Sequence, residues 1–499
     1  MSLNVRNYSN KEMLLFPASI GDYLPKDHLA WVIDEVVEQL DLGRLYKKVS
    51  SVGNPSYHPK MMLKILFYGY ATSSFSSRKI ARGLESDVAF IFLSGMQKPD
   101  FRTISDFRKN NLVELADIFV QIVRLCRELG LVELGHIALD STVIKASAHR
   151  DQFYDQGQLD EEEQKMYARI SKLIDAAEKT DAQEDTLYGH DSRGDDLPKG
   201  LRSPQQRLKK IQEAKQRLQE QAIKEINLTD PDATFQRQRS GIVEPGYRAG
   251  VAIDKKEQII VACDVTNKRT DYKQLIPLVE QVEANLPEAQ FKKSVVITAD
   301  SGYSSMEKLA ELELKEHIDA YIPDARYQGK QRGKKIDEDS PFHKKNFTYD
   351  ARNNVYVCPD NKKLFFVRRR REKSEAMCSI YQCRQYRGCQ YAGVCTTNRD
   401  GREIRICDNV GVLYRMRKKL DTAEGKAIYG RRKVIVEPVF GNIKHNLKFR
   451  EFLLRGLKKA KGEFALIAIA HNIRKMARFL KRPLLFKLPR ADLIPLPAI

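Results

Sequence analysis

The sequence predicts an α+β multidomain fold: a helical N-terminal domain, then a mixed-sheet core with one helical and one cysteine-containing insertion. Three observations predict it. Apolar residues recur at helical spacing through the N-terminal quarter, short β-branched runs alternate with amphipathic segments in the middle, and six of the eight cysteines gather in one basic stretch after Pro323. The expected boundaries are 1–133 for the helical domain and 134–323 for the first part of the core, with a charged helical insertion at 152–228. The cysteine-containing insertion is expected at 324–420, and the C-terminal helical part with a basic tail at 421–499.

The helical domain begins with Asp27–Leu40, where Leu29, Val32, Ile33, Val36, Val37 and Leu40 share a face. His58–Tyr70, Arg78–Phe92 and Thr103–Leu129 continue the pattern, and Thr103-Ile104-Ser105-Asp106 reads as a capping-box-like start. Arg78, Lys79, Arg82, Lys98, Arg102, Arg108 and Lys109 punctuate the bundle. They fit either a helix-turn-helix-like DNA-binding module or an all-α domain with a solvated basic face.

The texture then changes. His136–Lys145 is a β-branched run bearing one acid, Asp140. Gln152–Ile226 is charged and rich in Gln, Glu and Lys, with helical halves at Glu161–Lys179 and Pro204–Ile226 around a Gly/Asp-rich loop. A helical hairpin fits it, as does a plain linker. Strand character returns at Gly246–Asp254 and Gln258–Thr266, joined by a hairpin-like Asp254–Glu257. Tyr272–Leu286 and Met306–Leu314 read as helices; Ser294–Asp300 reads as a buried strand ending in an acid, and Ala320–Pro323 as a short strand. Strand, insertion, strand, strand, helix, strand, helix, strand is the order of an RNase H-like core. In that topology the first and fourth strands are neighbours. From Pro323 to about residue 420 the chain reads as loop-rich and strand-poor, and helical pattern resumes at Asp421.

The chain has 499 residues and 57.4 kDa, with 42% apolar residues, which excludes wholesale disorder. Lys and Arg number 86 against 66 Asp and Glu, a net charge of +20. From Gly401 onward the balance is 24 against 8. Such a chain favours a polyanion, with nucleic acid ahead of an anionic membrane surface. The apolar run Phe464–Ala470 is far shorter than a membrane span, so no membrane association is expected. The N-terminus lacks a signal-peptide pattern, which predicts a cytoplasmic protein whose cysteines mostly stay reduced.

Asp140 in the first core strand and Asp300 at the end of the fourth could converge, and Glu437 lies downstream in Ile435–Asn446, with Pro438 compatible with a first helical turn. Two Asp and one Glu are hard oxygen ligands suited to Mg²⁺ or Mn²⁺, and two such ions clamp both oxygens of an in-line phosphoryl displacement. Single acids in such positions also serve as caps or surface carboxylates. Tyr429, Arg431, Arg432 and Lys433 precede Glu437, and Lys444 follows two helical turns on. A carboxylate for metal beside cations for phosphate suits DNA strand chemistry; a solvated basic helix face has the same composition. A Gly-x-Ser-x-Gly elbow and a P-loop are absent from the sequence, which disfavours serine hydrolases and P-loop ATPases.

Leu139–Thr142, Thr298–Tyr303 and Val436–Lys444 resemble the three catalytic motifs of bacterial insertion-sequence DDE transposases. Phe101–Arg108, Asp230–Ala233 and Pro245–Tyr247 resemble further segments of that family. The resemblance implies that Asp140, Asp300 and Glu437 are the catalytic, metal-binding triad for two Mg²⁺ (or Mn²⁺) ions. Tyr429, Arg432, Glu437 and Lys444 would carry the family's tyrosine–arginine–glutamate–lysine signature. Arg432 stands five before Glu437, where the family spacing is four; Lys433 keeps that spacing, so either cation could contact the DNA-end phosphate. The implied activity is cleavage and strand transfer at the element's own ends. The partners are double-stranded DNA, both terminal repeats and target, and a second copy in a synaptic homodimer. The N-terminal helices would be the DNA-binding domain, and in the cell the protein would sit on the bacterial nucleoid. A nuclease without strand transfer and a transposase-derived DNA-binding protein are the alternatives.

Cys358, Cys383, Cys389 and Cys395 are candidate zinc ligands, with Cys378 and Cys407 as substitutes; unbound thiols are the other reading. Cys358-Pro359 and the Cys389–Cys395 spacing resemble a cysteine-bearing insertion of the family, although its Cys-x-x-Cys is missing. Cys126 and Cys263 fall in apolar patterns and read as core residues.

Overall fold

The computed structural model describes residues 19–49, 55–188, 202–238, 240–286, 294–333, 340–372 and 376–480. Contacts divide the chain into two units. One comprises Met1–Leu131, His445–Phe449 and Ala465–Ile499, and the other Val132–Lys444 and Arg450–Phe464.

In the first unit the predicted apolar periods become α1 (Leu29–Glu38), α2 (Gly43–Tyr46), α3 (Pro59–Ala71), α4 (Ser77–Ser86), α5 (Val88–Ser94), α6 (Phe101–Asn110) and α7 (Leu112–Glu128). Ile33, Val36, Leu63, Leu66, Phe67, Ile80, Ile104, Leu115 and Ile122 are fully or almost fully buried. The single helix expected over Arg78–Phe92 is two, because Asp87 caps a new one by accepting the N–H groups of Ala89 and Phe90 at 2.8 and 3.2 Å. Likewise α6 starts ahead of Thr103, since Asp100 accepts from Arg102 and Thr103 at 2.6 and 3.0 Å. Arg108 leaves the expected basic face. It is 4% exposed and donates to Tyr70 Oη and the Phe75 carbonyl, whereas Arg78, Lys79, Arg82 and Arg102 are exposed.

The second unit is built on β1 (His136–Lys145), as predicted. A short ladder of β2 (Phe153–Tyr154) and β3 (Ile226–Asn227) closes the base of the insertion, whose helices are α8 (Gln156–Tyr188) and α9 (Arg202–Gln221). Leu159, Met166, Ile211, Ala214 and Leu218 form a small core between them, with Lys215 bonded to both Asp160 and Glu163. The segment is thus a hairpin and not a linker; its expected loop lies outside the described residues. Then come β4 (Thr234–Arg237), β5 (Val243–Asp254), β6 (Ile260–Thr266), α10 (Leu275–Asn285), β7 (Val295–Thr298), α11 (Met306–Glu313) and β8 (Ile318–Tyr321). The sheet runs β4-β5-β1-β7-β8, with β6 also pairing β5. β5 is antiparallel to β1 and β6, while β7 is parallel to β1 and β8.

After α12 (Ala325–Gln331) the expected strand-poor stretch is instead a five-stranded antiparallel sheet. Its strands are β9 (Thr348–Asp350), β10 (Val355–Val357), β11 (Lys363–Arg371), β12 (Met377–Cys383) and β13 (Glu403–Cys407). Phe347, Leu364, Tyr381 and Ile404 cluster on one face, and the arginines of β11 are largely exposed. Helix resumes at α13 (Val410–Asp421), eleven residues before the expected point, and continues as α14 (Ala423–Gly441), a π-helical turn Asn442–Asn446, and α15 (Leu457–Phe479). Among the described residues no helix is long and apolar enough to cross a membrane.

Candidate active site

The register of β1 against β7 pairs His136 with Val296 and Ala138 with Thr298. Two residues further along the same register stand Asp140 and Asp300, so the parallel pairing itself sets the two acids side by side. Asp140 is 3% exposed and takes the N–H of Ser141 at 2.8 Å. Asp300 has left the strand and caps the turn Ser301–Tyr303, accepting from Gly302 at 2.9 Å.

A cation answers this pair. Arg432, on the buried side of α14 with Ile435, Val436 and Val439, places Nη1 3.2 Å from Asp140 Oδ2. Burial works against its charge, but Asp140, Tyr429 and Asp300 outweigh it and raise the guanidinium pKa above its ordinary value. Of the two cations that the sequence left open, Arg432 is the one at the aspartates; Lys433 is exposed.

A third carboxylate was not legible in the sequence. Asp271 accepts from Ser141 Oγ at 2.6 Å and from Arg248 Nη1 at 2.9 Å. Burial pushes its pKa up, opposed by Arg248 and Ser141 and reinforced by Asp300. A Cβ on Gly302 would stand 2.9 Å from Asp271 Oδ2 and 3.0 Å from Asp300 Oδ1, so only glycine leaves room where the two carboxylates approach. The Tyr303 phenol lies fully buried beside Asp271, Asp140 and Asp300, and burial first, then these acids, hold it well above its usual pKa.

Glu437 is on an exposed part of α14, and among the described residues no three His, Cys, Asp or Glu side chains converge closely enough to hold a metal ion. Asp140 and Asp300 are therefore brought together and Glu437 is not joined to them. The carboxylates of Asp140, Asp300 and Asp271 are hard oxygen donors of the kind a divalent cation takes. Pro438, expected in a first turn, is inside α14, which Thr422 caps by accepting from Gly425. Its missing N–H leaves the Val434 carbonyl unserved by the helix, and Gln258 Nε2 donates to it at 3.1 Å. Lys444 donates to the Val143 carbonyl at 2.9 Å, and Tyr429 Oη accepts from Gln328 at 3.2 Å.

Beneath the site, His136 Nε2 meets Thr298 Oγ1 at 3.0 Å. Burial, with Lys255 and Arg431 nearby, lowers its pKa to about 4. The unfolded chain, with a histidine pKa near 6.5, takes the proton first as pH falls. This group's stability is then complete above about pH 6.5 and is lost toward pH 4, on the order of 2 kcal/mol by pH 5. Urea unfolding at pH 7 and pH 5 should show the loss, and His136→Gln should reduce it.

Cys358, Cys383, Cys389 and Cys395 line one cavity of the small sheet. Cys378 and Cys407 cannot substitute for them: facing each other across β12 and β13, they form a disulfide, and so also depart from the expected reduced state. Cys126 is buried in α7, as expected of a core residue, whereas Cys263 on β6 is only partly buried.

Residues 357–477 match the family model of a transposase DDE domain, and residues 18–110 match a transposase domain of the DUF772 family. The two matches support a DDE-type insertion-sequence transposase. No curated protein matches the chain. The DDE match takes in Arg432, Glu437 and Lys444, and the DUF772 match takes in α1–α6 of the helical unit.

Proposed function

We propose that the protein is a transposase that cleaves DNA at the ends of its own insertion sequence and transfers the freed strand to target DNA, with Asp140, Asp300 and Glu437 as the metal-binding carboxylates. The observation that carries this reading is the pair formed by Asp140 on β1 and Asp300 just past the end of its parallel neighbour β7, answered by Arg432. The strand order β6-β5-β1-β7-β8, with a single antiparallel switch around β5, supports an RNase H-like core. Bound Mg²⁺ or Mn²⁺ would supply charge stabilisation at the scissile phosphate. The protein's own part is positional. Asp140 and Asp300 present fixed oxygens, Ser141 and Arg248 hold Asp271 behind them, and Gly302 keeps the approach open.

Glu437 reaches this site when DNA engages α14, and Tyr429, Arg432, Lys433 and Lys444 then orient the terminal phosphate. The N-terminal helices recognise the terminal repeats through exposed Arg78, Lys79, Arg82 and Arg102, and two copies pair the two ends. The protein acts in the bacterial cytoplasm on nucleoid DNA. Strand joining tests the reading: a labelled, pre-cut element end incubated with a supercoiled target and Mg²⁺ should become covalently linked to the target. Cleavage without joining would favour a nuclease, and a mobility shift with neither would favour a DNA-binding protein.

A further inference from the structure

We propose that Cys358, Cys383, Cys389 and Cys395 bind one structural zinc ion that fastens the loops of the antiparallel-sheet insertion, independently of the reading of the catalytic site. The fold delivers the four cysteines from separate places. Cys358 follows β10, Cys383 ends β12, and Cys389 and Cys395 belong to the loop before β13. All four line a single cavity whose other walls include Phe342, Phe347 and Leu364.

The backbone is already arranged for thiolates. Lys362 N–H donates to Cys358 Sγ at 3.3 Å, in a turn where Asn361 takes a φ of 56° and donates to the Cys358 carbonyl. A main-chain N–H directed at that sulfur favours its charged form.

Charge compensation is also present. Four thiolates around Zn²⁺ carry two net negative charges, and two cations face them. Lys362 and Arg402 line the same cavity as the four cysteines. Arg402 ties down the surrounding loops through the Cys395 and Phe342 carbonyls at 3.1 and 3.2 Å, yet its buried Nε has no partner. An anionic centre in the cavity satisfies that orphaned donor. The Cys378–Cys407 disulfide removes the other two cysteines of this sheet from competition, leaving a Cys₄ set. The sulfurs surround the cavity without converging to coordinating distance, so binding draws the Cys389–Cys395 loop inward as four thiol protons pass to solvent.

The test is metal content and coordination of the full chain. Purified without chelators, the protein should contain one zinc per chain by inductively coupled plasma mass spectrometry. After exchange with Co²⁺ it should show the sulfur-to-cobalt charge-transfer and intense ligand-field bands of a tetrahedral thiolate site. Cys395→Ser should weaken or abolish these bands, and Lys362→Met, which keeps all four ligands, should weaken zinc binding roughly 10–100-fold. Cys263→Ala should leave both intact. The spectrum of the unaltered chain decides the matter even where a cysteine variant fails to fold. Absence of zinc together with absence of cobalt bands, iron in its place, or differential alkylation showing disulfides among these four cysteines would each overturn the proposal.

Discussion

Asp140→Asn should lower metal-dependent cleavage of element-end DNA by about three orders of magnitude or more while leaving binding of that DNA unchanged. The side chain keeps its volume, an amide oxygen can still accept the Ser141 N–H, and Asp300 remains to answer Arg432. What is lost is the negative charge at the buried centre of β1. A ligand that holds a catalytic cation contributes several kcal/mol of transition-state stabilisation, and each ~1.4 kcal/mol is a factor of ten in rate. Single-turnover cleavage of a labelled end, with a mobility-shift titration on the same preparation, separates the two quantities. A variant that cleaves within tenfold of the parent would remove Asp140 from the chemistry.

The second large effect concerns stability. Arg432→Leu should destabilise the catalytic unit by roughly 3–5 kcal/mol in metal-free buffer, because removing one member of a buried ion pair strands the other. Arg432 and Asp140 are 8% and 3% exposed, and Asp300 and Asp271 add further negative charge nearby. Divalent cations should restore more stability to the variant than to the parent, since they can answer the same carboxylates. Urea denaturation with and without Mg²⁺ measures both. A midpoint unchanged by the substitution would mean that the ion pair is incidental.

Much of this arrangement was legible before the structure. His136–Lys145 announces itself by its β-branched residues, and the parallel pairing that sets Asp140 beside Asp300 follows from the order of the elements. The helical hairpin was readable from charge and composition, because its small apolar seam needs few residues. Other features had no one-dimensional signal. The strand β11 carries four consecutive arginines, which read as a solvated loop, yet Leu364 alone anchors it in the core while its partners supply the hydrogen bonds. Asp271 stands in an ordinary polar stretch before a helix and becomes part of the site only because Ser141 and Arg248 arrive from other strands. Pro438 argued for a helix start, but Gln258, distant in sequence, serves the carbonyl that the proline leaves open. In each case a tertiary partner decided the outcome.

The four cysteines proposed to bind zinc illustrate the same limit from the other side. The sequence nominated the four cysteines, but only the cross-strand register of Cys378 and Cys407 shows why the remaining pair is spoken for.

The most direct test of the transposase account is excision of an element carrying its own ends from a supercoiled plasmid, in Mg²⁺ and in EDTA, by the parent chain and by Asp300→Ala and Glu437→Ala. The account predicts Mg²⁺-dependent excision by the parent and none by either variant, although all three bind the ends. Excision by Glu437→Ala at the parental rate would contradict the three-carboxylate site, and excision by Asp300→Ala as well would contradict the account as a whole.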